Sequence, residues 1–505
     1  MVSSTSTFLQ STNPATQTII PEQFPIASKE EINHTVQSAQ QAFETYKNCS
    51  GLEKATFLRT IADEIMALGD QLVEKVMEET ALPQGRVVSE RGRTCNQLRL
   101  FADLVEEGHW VDATIDEGQT DLRKMLLPLG PVAVFTASNF PLAFSTAGGD
   151  TASALAASCP VIVKAHPSHL GTNQLVANAI HSAAAKCHLP KGVFASINGG
   201  IKEGQQLVKH PGITAIGFTG SPKGGTAITY SAAQRVVPIP VYAEMGSINP
   251  IFLFPEKLEK EGTRVAQQVA QSLQLGAGQF CTKPGLLLLE NHPSTDRFLA
   301  DFKEILLSAS QQTMLNGSIF QQFCDKRKYY MQDKQVVDRT PFRQDDKAWD
   351  VQPGFIRLSA KDFLSNKDYQ EEIFGPFTIA VVYDHPDELQ AICNDLQGQL
   401  TATIFSTKQE IRKLHTIVST ISTKVGRLIF NGVPTGVAVS SAMHHGGPFP
   451  ASSNGKYTSV GTSAIQRFVR PICFQNWPDE LLPEALKRAN PLHIIRKVNG
   501  KMELV

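Results

Sequence analysis

A cysteine at position 281 sits in the stretch Gly276-Ala277-Gly278-Gln279-Phe280-Cys281-Thr282-Lys283-Pro284-Gly285, with glycines on both sides. Glycine lets a backbone approach a ligand closely and adopt angles that other residues avoid. A thiol held there is placed to act as a nucleophile, with its own amide N–H facing the reacting centre. Left alone, a free cysteine is more often an inert small hydrophobe, so the meaning of Cys281 rests on what accompanies it.

Other chemistry-bearing stretches accompany it. Phe218-Thr219-Gly220-Ser221-Pro222-Lys223-Gly224-Gly225 reads as a strand, a glycine turn and a helix start. Free N–H groups and the dipole make such a helix start a seat for anions. The pair Gly220 and Gly225 is only a fragment of the usual three-glycine dinucleotide fingerprint, and glycine turns after strands are common. Lys164 ends another apolar strand, within reach of ribose or phosphate oxygens. A helix over about 84–107 carries Glu90, Arg91, Arg93, Gln97 and Arg99. Charged residues usually mark a solvated face, but a guanidinium there could instead grip a substrate carboxylate. His444-His445-Gly446-Gly447-Pro448-Phe449-Pro450 is a glycine–proline loop, and its paired histidines are equally compatible with a surface accident.

The elements that must position these residues follow from periodicity. Ser28-Lys29-Glu30-Glu31 opens helices that run to about residue 80. From Leu127 onward short apolar strands alternate with helices: 131–135, 161–164, 193–197, 213–218 and 241–243. Such alternation implies crossover units and a parallel sheet covered on both faces, with ligands at the carboxyl ends of its strands. A second sheet region is expected over about 250–430. It includes 251–254, the leucine run 286–289, 378–382, 402–405 and 427–430. Residues 112–126 read as an extended polar arm, and 466–475 as a strand.

The totals set bounds. A chain of 505 residues is too long for one core, so two or three domains are expected. A formal net charge of −1 offers no basic footprint for nucleic acid. No apolar run spans a bilayer, and residues 1–7 lack the pattern of a secretory leader. The eight scattered cysteines form no Cys-x-x-Cys and no zinc-spaced cluster. That usage fits a reducing compartment, so a cytoplasmic protein with no metal is expected.

Taken together, these segments resemble the aldehyde dehydrogenase superfamily along nearly the whole chain. Five stretches carry the resemblance in order: Ser138-Asn139-Phe140-Pro141, Phe218-Thr219-Gly220-Ser221, Glu244-Met245-Gly246, Gly278-Gln279-Phe280-Cys281 and Glu372-Ile373-Phe374-Gly375-Pro376. The resemblance implies an α/β fold. Its parts would be a Rossmann-type cofactor domain (1–110 and 129–249), an α/β catalytic domain (250–462), a small β oligomerisation arm (111–128 and 463–475) and a tail (476–505) of no assigned function. A homodimer or homotetramer would follow. It implies that Cys281 attacks an aldehyde, that Asn139 and the Cys281 N–H hold the oxyanion, and that Glu244 activates water to hydrolyse the thioester. Lys164 would contact the cofactor ribose. Gly220, Ser221 and Gly225 would form the phosphate turn, Glu372 would hold the nicotinamide ribose, and Phe374 would pack beside it.

The departures from the superfamily pattern narrow the reading. Ser138 stands where most members have Trp. Pro167 stands where many NAD-reading members carry a Glu, so NADP becomes acceptable, with Ser168 and Lys202 nearby and NAD still possible. These departures and the His445 segment resemble one branch, whose members oxidise α-ketoglutarate semialdehyde (2,5-dioxovalerate) or long-chain fatty aldehydes. In it a histidine matching His445, with His444 as the alternative, lies near the nucleophile. Arg91, Arg93 or Gln97 would meet the distal carboxylate of the semialdehyde. Phe140, Leu142, Phe144 and Phe280 would instead line an apolar tunnel for a fatty aldehyde.

Overall fold

Runs such as Val132-Ala133-Val134-Phe135 and Leu286-Leu287-Leu288-Leu289 are apolar at consecutive positions, and nearly all of these residues are buried. A strand apolar on both faces must be covered on both, which is the condition of a parallel α/β sheet. A computed structural model describes residues 7–341 and 349–503. The first six residues, read above for a leader, lie outside it, as do 342–348 of the second sheet region and the last two of the tail.

Two parallel sheets organise the chain. The first has five strands in the order Val241–Glu244, Ala215–Thr219, Val132–Phe135, Val161–Lys164, Phe194–Ile197. The second has seven, in the order Asp338–Arg339, Gly354–Ser359, Phe377–Tyr383, Leu286–Glu290, Pro250–Leu253, Gln399–Phe405, Val425–Phe430. Only its short first strand pairs antiparallel. Lys164, Glu244 and the Gly220 turn all emerge at carboxyl ends of the first sheet, where open α/β sheets bind ligands.

Local sequence sets the helices that brace the first sheet. Ser28 with Glu31 and Ser50 with Glu53 form capping boxes that start Lys29–Tyr46 and Gly51–Ala67. Buried Glu79 accepts from the amides of Gly171 and Thr172, each at 2.8 Å, and so caps the helix Leu170–Lys186 from outside. The helix Gln84–Glu107 starts after Pro83 and stops at Gly108, whose φ of 75° suits glycine. Residues 86, 90, 93 and 97 of this helix recur at helical spacing and share one face.

A third sheet, of five strands, departs from the expected boundaries. Its order is Val469–Gln475, Leu122–Pro128, Thr114–Asp116, Arg496–Val498, Lys501–Glu503. The tail therefore does not stand apart: two of its strands complete this sheet, with Lys497 aligned parallel to Thr114. The strand expected at 466–475 begins only at Val469, because Thr462–Phe468 forms a 3-10 helix first. That turn places Arg467 in the core, paired with Asp150 at 2.6 Å and with the Ser153 hydroxyl at 3.0 Å. No helix among the described residues is long and apolar enough to cross a membrane.

Candidate active site

The loop bearing Cys281 is clamped from below. The Asn249 side-chain amide donates to the carbonyls of Cys281 (2.8 Å) and Lys283 (3.0 Å), while its oxygen accepts from Thr401. Asn249 is fully buried and has a positive φ of 46°, a conformation Asn tolerates better than most residues. Sequence reading passed over it, although a polar residue between Gly246 and Pro250 was the available signal. Asn139 reaches the same loop, donating through Nδ2 to the Gln279 carbonyl at 2.8 Å. An amide nitrogen carries two hydrogens, so the second is left for a substrate oxygen. Gly278 has a φ of 65°, and a side chain there would run into the Gly375–Pro376 backbone. Two of the five motif segments are thus pressed together.

Around the sulfur stand Glu244 and His445. The His445 Nε2 lies 3.5 Å from the Cys281 sulfur and 3.5 Å from a Glu244 carboxylate oxygen. Its backbone is fixed by Thr458 and Ser459, and Glu244 is held by backbone bridging to Ser452. His444 turns aside, toward Gly426. Both Glu244 oxygens are buried without a hydrogen-bond partner. Burial pushes the Cys281 thiol well above its ordinary value, and the carboxylates of Glu244 and Glu372 push it further. The resting thiol is therefore protonated, and a base must take its proton before it can attack.

One side of the sulfur is ionic. Lys164, at its strand end, is depressed to about 8 by burial, with Glu203 opposing the shift. Glu372 has a buried oxygen without a partner, and Gly246 leaves it room that a side chain would fill. Burial raises the Glu372 carboxyl, while the buried ammonium of Lys283 opposes the rise. Lys283, also missed from sequence, donates to the Phe377 carbonyl at 2.9 Å. Phe374 follows on the same turn, half-buried.

In the glycine turn expected to hold phosphate, two amides are already engaged. The Gly220 amide already donates to the Glu244 carbonyl, and the Gly224 amide to the Ser221 hydroxyl. Gly225 serves close packing, since a side chain there would meet Met245. Exposed Ser221 caps that helix start. Ser168 accepts from Asn316 at 3.0 Å, and Lys202 is exposed in the first turn of Ile201–Lys209. The unpartnered Glu372 oxygen and the half-buried Lys164 ammonium supply the acceptor and donor that a dinucleotide's ribose hydroxyls require. These residues fit such a cofactor.

The other side is aromatic and cationic. Phe140 packs edge-on against Phe144 and Phe280, with centroids 5.2 and 4.9 Å apart, and Phe144 lies 6.0 Å from the His445 ring. Leu142 is not part of this group; it packs into the core of the first sheet. Arg86 stacks 4.6 Å from Phe140 and pairs with Glu90 at 2.7 Å. Arg93 lies 5.1 Å over Phe144 and donates to the Val437 carbonyl. From the second sheet, Arg427 donates to the Pro434 and Gly436 carbonyls of the same loop. Arg93 and Arg427 are both within electrostatic reach of the Cys281 sulfur. Among the described residues neither forms a salt bridge, although Glu90 acts on Arg93 electrostatically. Gln97 is buried on the Arg93 face with its amide unpartnered.

Arg91 is a correction. It points the other way, donating to the Gly69 carbonyl at 2.7 Å. Residues two apart on a helix lie about 200° apart around its axis, so Arg91 and Arg93 cannot face the same ligand. Arg86 and Arg427 escaped the sequence reading. Arg86 sits seven residues before Arg93, a spacing that already puts them on one face. Arg427 joins only through tertiary structure.

A profile of the aldehyde dehydrogenase family matches residues 1–471, and the chain belongs to that family. It is an oxidoreductase acting on aldehydes, in a family that uses NAD or NADP. The chain is 45% identical over 495 residues to alpha-ketoglutaric semialdehyde dehydrogenase 2 of Azospirillum brasilense, covering 95% of this chain and 93% of that protein. It is 43% identical over 486 residues to alpha-ketoglutaric semialdehyde dehydrogenase of Acinetobacter baylyi, covering 94% and 92%. Among solved structures, the 1-pyrroline-5-carboxylate dehydrogenase from Thermus with bound NAD superposes with a TM-score of 0.80 at 20% identity, covering 94% of this chain and 90% of that one. Aldehyde dehydrogenase 21 of Physcomitrella patens, in complex with succinate, gives 0.79 at 17% identity, covering 94% and 96%. These two likenesses establish the α/β fold.

Proposed function

We propose that this enzyme oxidises α-ketoglutarate semialdehyde to 2-oxoglutarate, with NADP as the preferred acceptor. The observation that carries the substrate is the pair Arg93 and Arg427, two guanidiniums beside the sulfur bonded only to backbone carbonyls. The semialdehyde carries its carboxylate at the end opposite its aldehyde, and a guanidinium is the side chain best suited to grip it. The names of the two relatives above 40% identity support the same substrate.

In this reading the Cys281 proton passes to the Glu244–His445 pair, and the thiolate attacks the aldehyde carbon. Asn139 and the Cys281 N–H receive the developing oxyanion, each donor supplying about 3 kcal/mol. A nicotinamide dinucleotide held by these residues would supply the hydride acceptor. The acyl group then rests on Cys281 as a thioester. Glu244 takes a proton from the attacking water, and His445 orients that carboxylate. Lys164 and Glu372 would hold the cofactor ribose hydroxyls. NADP follows from Pro167 in place of an acid and from exposed Lys202. The neighbouring Glu203 is turned back onto the Gly200 amide at 2.7 Å and leaves Lys202 as the cation in that turn.

Assembly as a homodimer or homotetramer belongs to the same proposal. The strand Val425–Phe430 ends its sheet with Leu428 and Phe430 exposed, and Val469–Gln475 ends the small sheet. Free edges of this kind are usually covered, and sedimentation tests it. A cytoplasmic location fits the eight free cysteines.

The deciding measurement compares kcat/KM for the semialdehyde and for a long-chain aldehyde. A hundredfold preference for the semialdehyde, about 2.7 kcal/mol, is expected. The aromatic cluster favours the second reading, a fatty aldehyde, and a long-chain preference would establish it instead. Parallel rates with NADP and NAD test the cofactor.

A further inference from the structure

Three atoms able to ligate a metal converge at the reaction centre. The Cys281 sulfur, the His445 Nε2 and a Glu244 oxygen all lie within 4.8 Å of one another. Two of the separations, sulfur to nitrogen and nitrogen to oxygen, are 3.5 Å. In a tetrahedral zinc site with metal–ligand bonds of about 2.0–2.3 Å, neighbouring ligand atoms stand about 3.3–3.6 Å apart. His445 and Glu244 are almost wholly buried, at 2% and 4% exposure, and both Glu244 oxygens lack a hydrogen-bond partner.

We propose that Cys281, His445 and Glu244 form a three-ligand receptor for zinc, and that its occupation reversibly switches the enzyme off. Zinc is the cation this donor set selects, because thiolate, imidazole and carboxylate together suit a borderline-soft ion and discriminate against magnesium or calcium. The charges balance: one thiolate and one carboxylate neutralise the divalent ion, and the imidazole binds neutral. The thiol proton is released to solvent on ligation, and no electron is transferred. A fourth position stays open, as in sites with three protein ligands. Arg93 and Arg427 stand near the sulfur and oppose a second cation. Affinity therefore falls below that of a structural zinc site, and the ion is removable by a chelator. A metal-bound thiolate is withheld from the aldehyde, and a metal-bound Glu244 is withheld from water.

The inference rests on the functional reading only in that the same thiol and carboxylate serve the reaction. Its test reads metal binding without turnover. The full-length, cofactor-free enzyme is titrated with cobalt(II) in a non-chelating reductant, and absorption is followed. A thiolate-to-cobalt charge-transfer band with tetrahedral d–d bands is expected, displaced by stoichiometric zinc. Calorimetric zinc affinity should fall about 10–100-fold or more in His445→Ala and in Glu244→Gln, and vanish in Cys281→Ser. Circular dichroism and melting confirm that each variant is folded. Zinc inhibition of the native enzyme should reverse fully with EDTA. Unchanged affinity in folded His445→Ala would mean a lone thiol binds the metal and would overturn the receptor. Inhibition without the charge-transfer band would place the metal elsewhere and overturn it equally.

Discussion

The two sides of the Cys281 sulfur solve different problems. On the side proposed for the cofactor, Lys164 ends a strand half-buried while Lys283 and Glu372 face each other, and burial shifts the protonation of each. On the aldehyde side the groups are rings, and the cations behind them are guanidiniums, which stay charged under all ordinary conditions. Groups poised near neutrality suit a ligand whose polar contacts are the same in every turnover. Permanent cations over aromatic faces suit a selector, because they attract a carboxylate without titrating and leave apolar surface for the chain between. Specificity in this enzyme is therefore expected to reside in arginines, and proton handling in residues facing the cofactor and the sulfur.

Substitutions can break or sharpen that contrast. Cys281→Ser, at the boundary, should lower kcat by at least about a thousandfold for every aldehyde while leaving dinucleotide binding intact by fluorescence titration. Glu244→Gln should lower the steady-state rate by about 10²–10⁴-fold yet keep a burst of reduced cofactor in stopped flow. The same variant removes a negative charge that raises the thiol, so iodoacetamide should alkylate Cys281 faster at neutral pH. Arg93→Met and Arg427→Met should each cost about 1.5–3 kcal/mol, or roughly 10–150-fold in kcat/KM, for the semialdehyde. An uncharged aldehyde of equal length should be spared. Equal losses on both substrates would erase the selector.

Smaller effects follow on the cofactor side. Lys164 is charged below about 8 and neutral above it. The cofactor KM should accordingly rise a few-fold as pH climbs through about 8, and Lys164→Met should be weak and flat across that range. Arg91→Met should change kcat/KM within about twofold, because its guanidinium serves only the Gly69 carbonyl.

The contrast was unequally legible in the sequence. The strand–helix alternation and the five motif segments are local signals, and the strands carrying Lys164, Glu244 and the glycine turn stand where periodicity puts them. Cys281, Glu244 and His445 could be named from short segments, but their separation of 3.5 Å across 164 residues of chain could not. Arg427 acts through a loop brought in from elsewhere in the fold, so no local pattern marks it, whereas Asn249 had only its polarity before Pro250 to mark it. The error over Arg91 was avoidable, since the turn of one helix already separates it from Arg93. The Gly220 turn marks a different limit. An amide that looks free in sequence is bonded to a neighbouring strand.

The pairing of Thr114 with Lys497 carries a consequence for how the protein is made. Strands Thr114–Asp116 and Leu122–Pro128 wait for partners at Val469–Gln475 and Arg496–Val498, so during synthesis this sheet closes after the strands of both larger sheets have been made. Until Arg496–Val498 is made, Thr114–Asp116 lacks one neighbour while the two larger parallel sheets already have their strands. Long-range pairing of this kind is slow and leaves an open edge to stray partners. The strands Arg496–Val498 and Lys501–Glu503 thus govern yield and misassembly more than turnover, and their deletion should appear first as aggregation during synthesis.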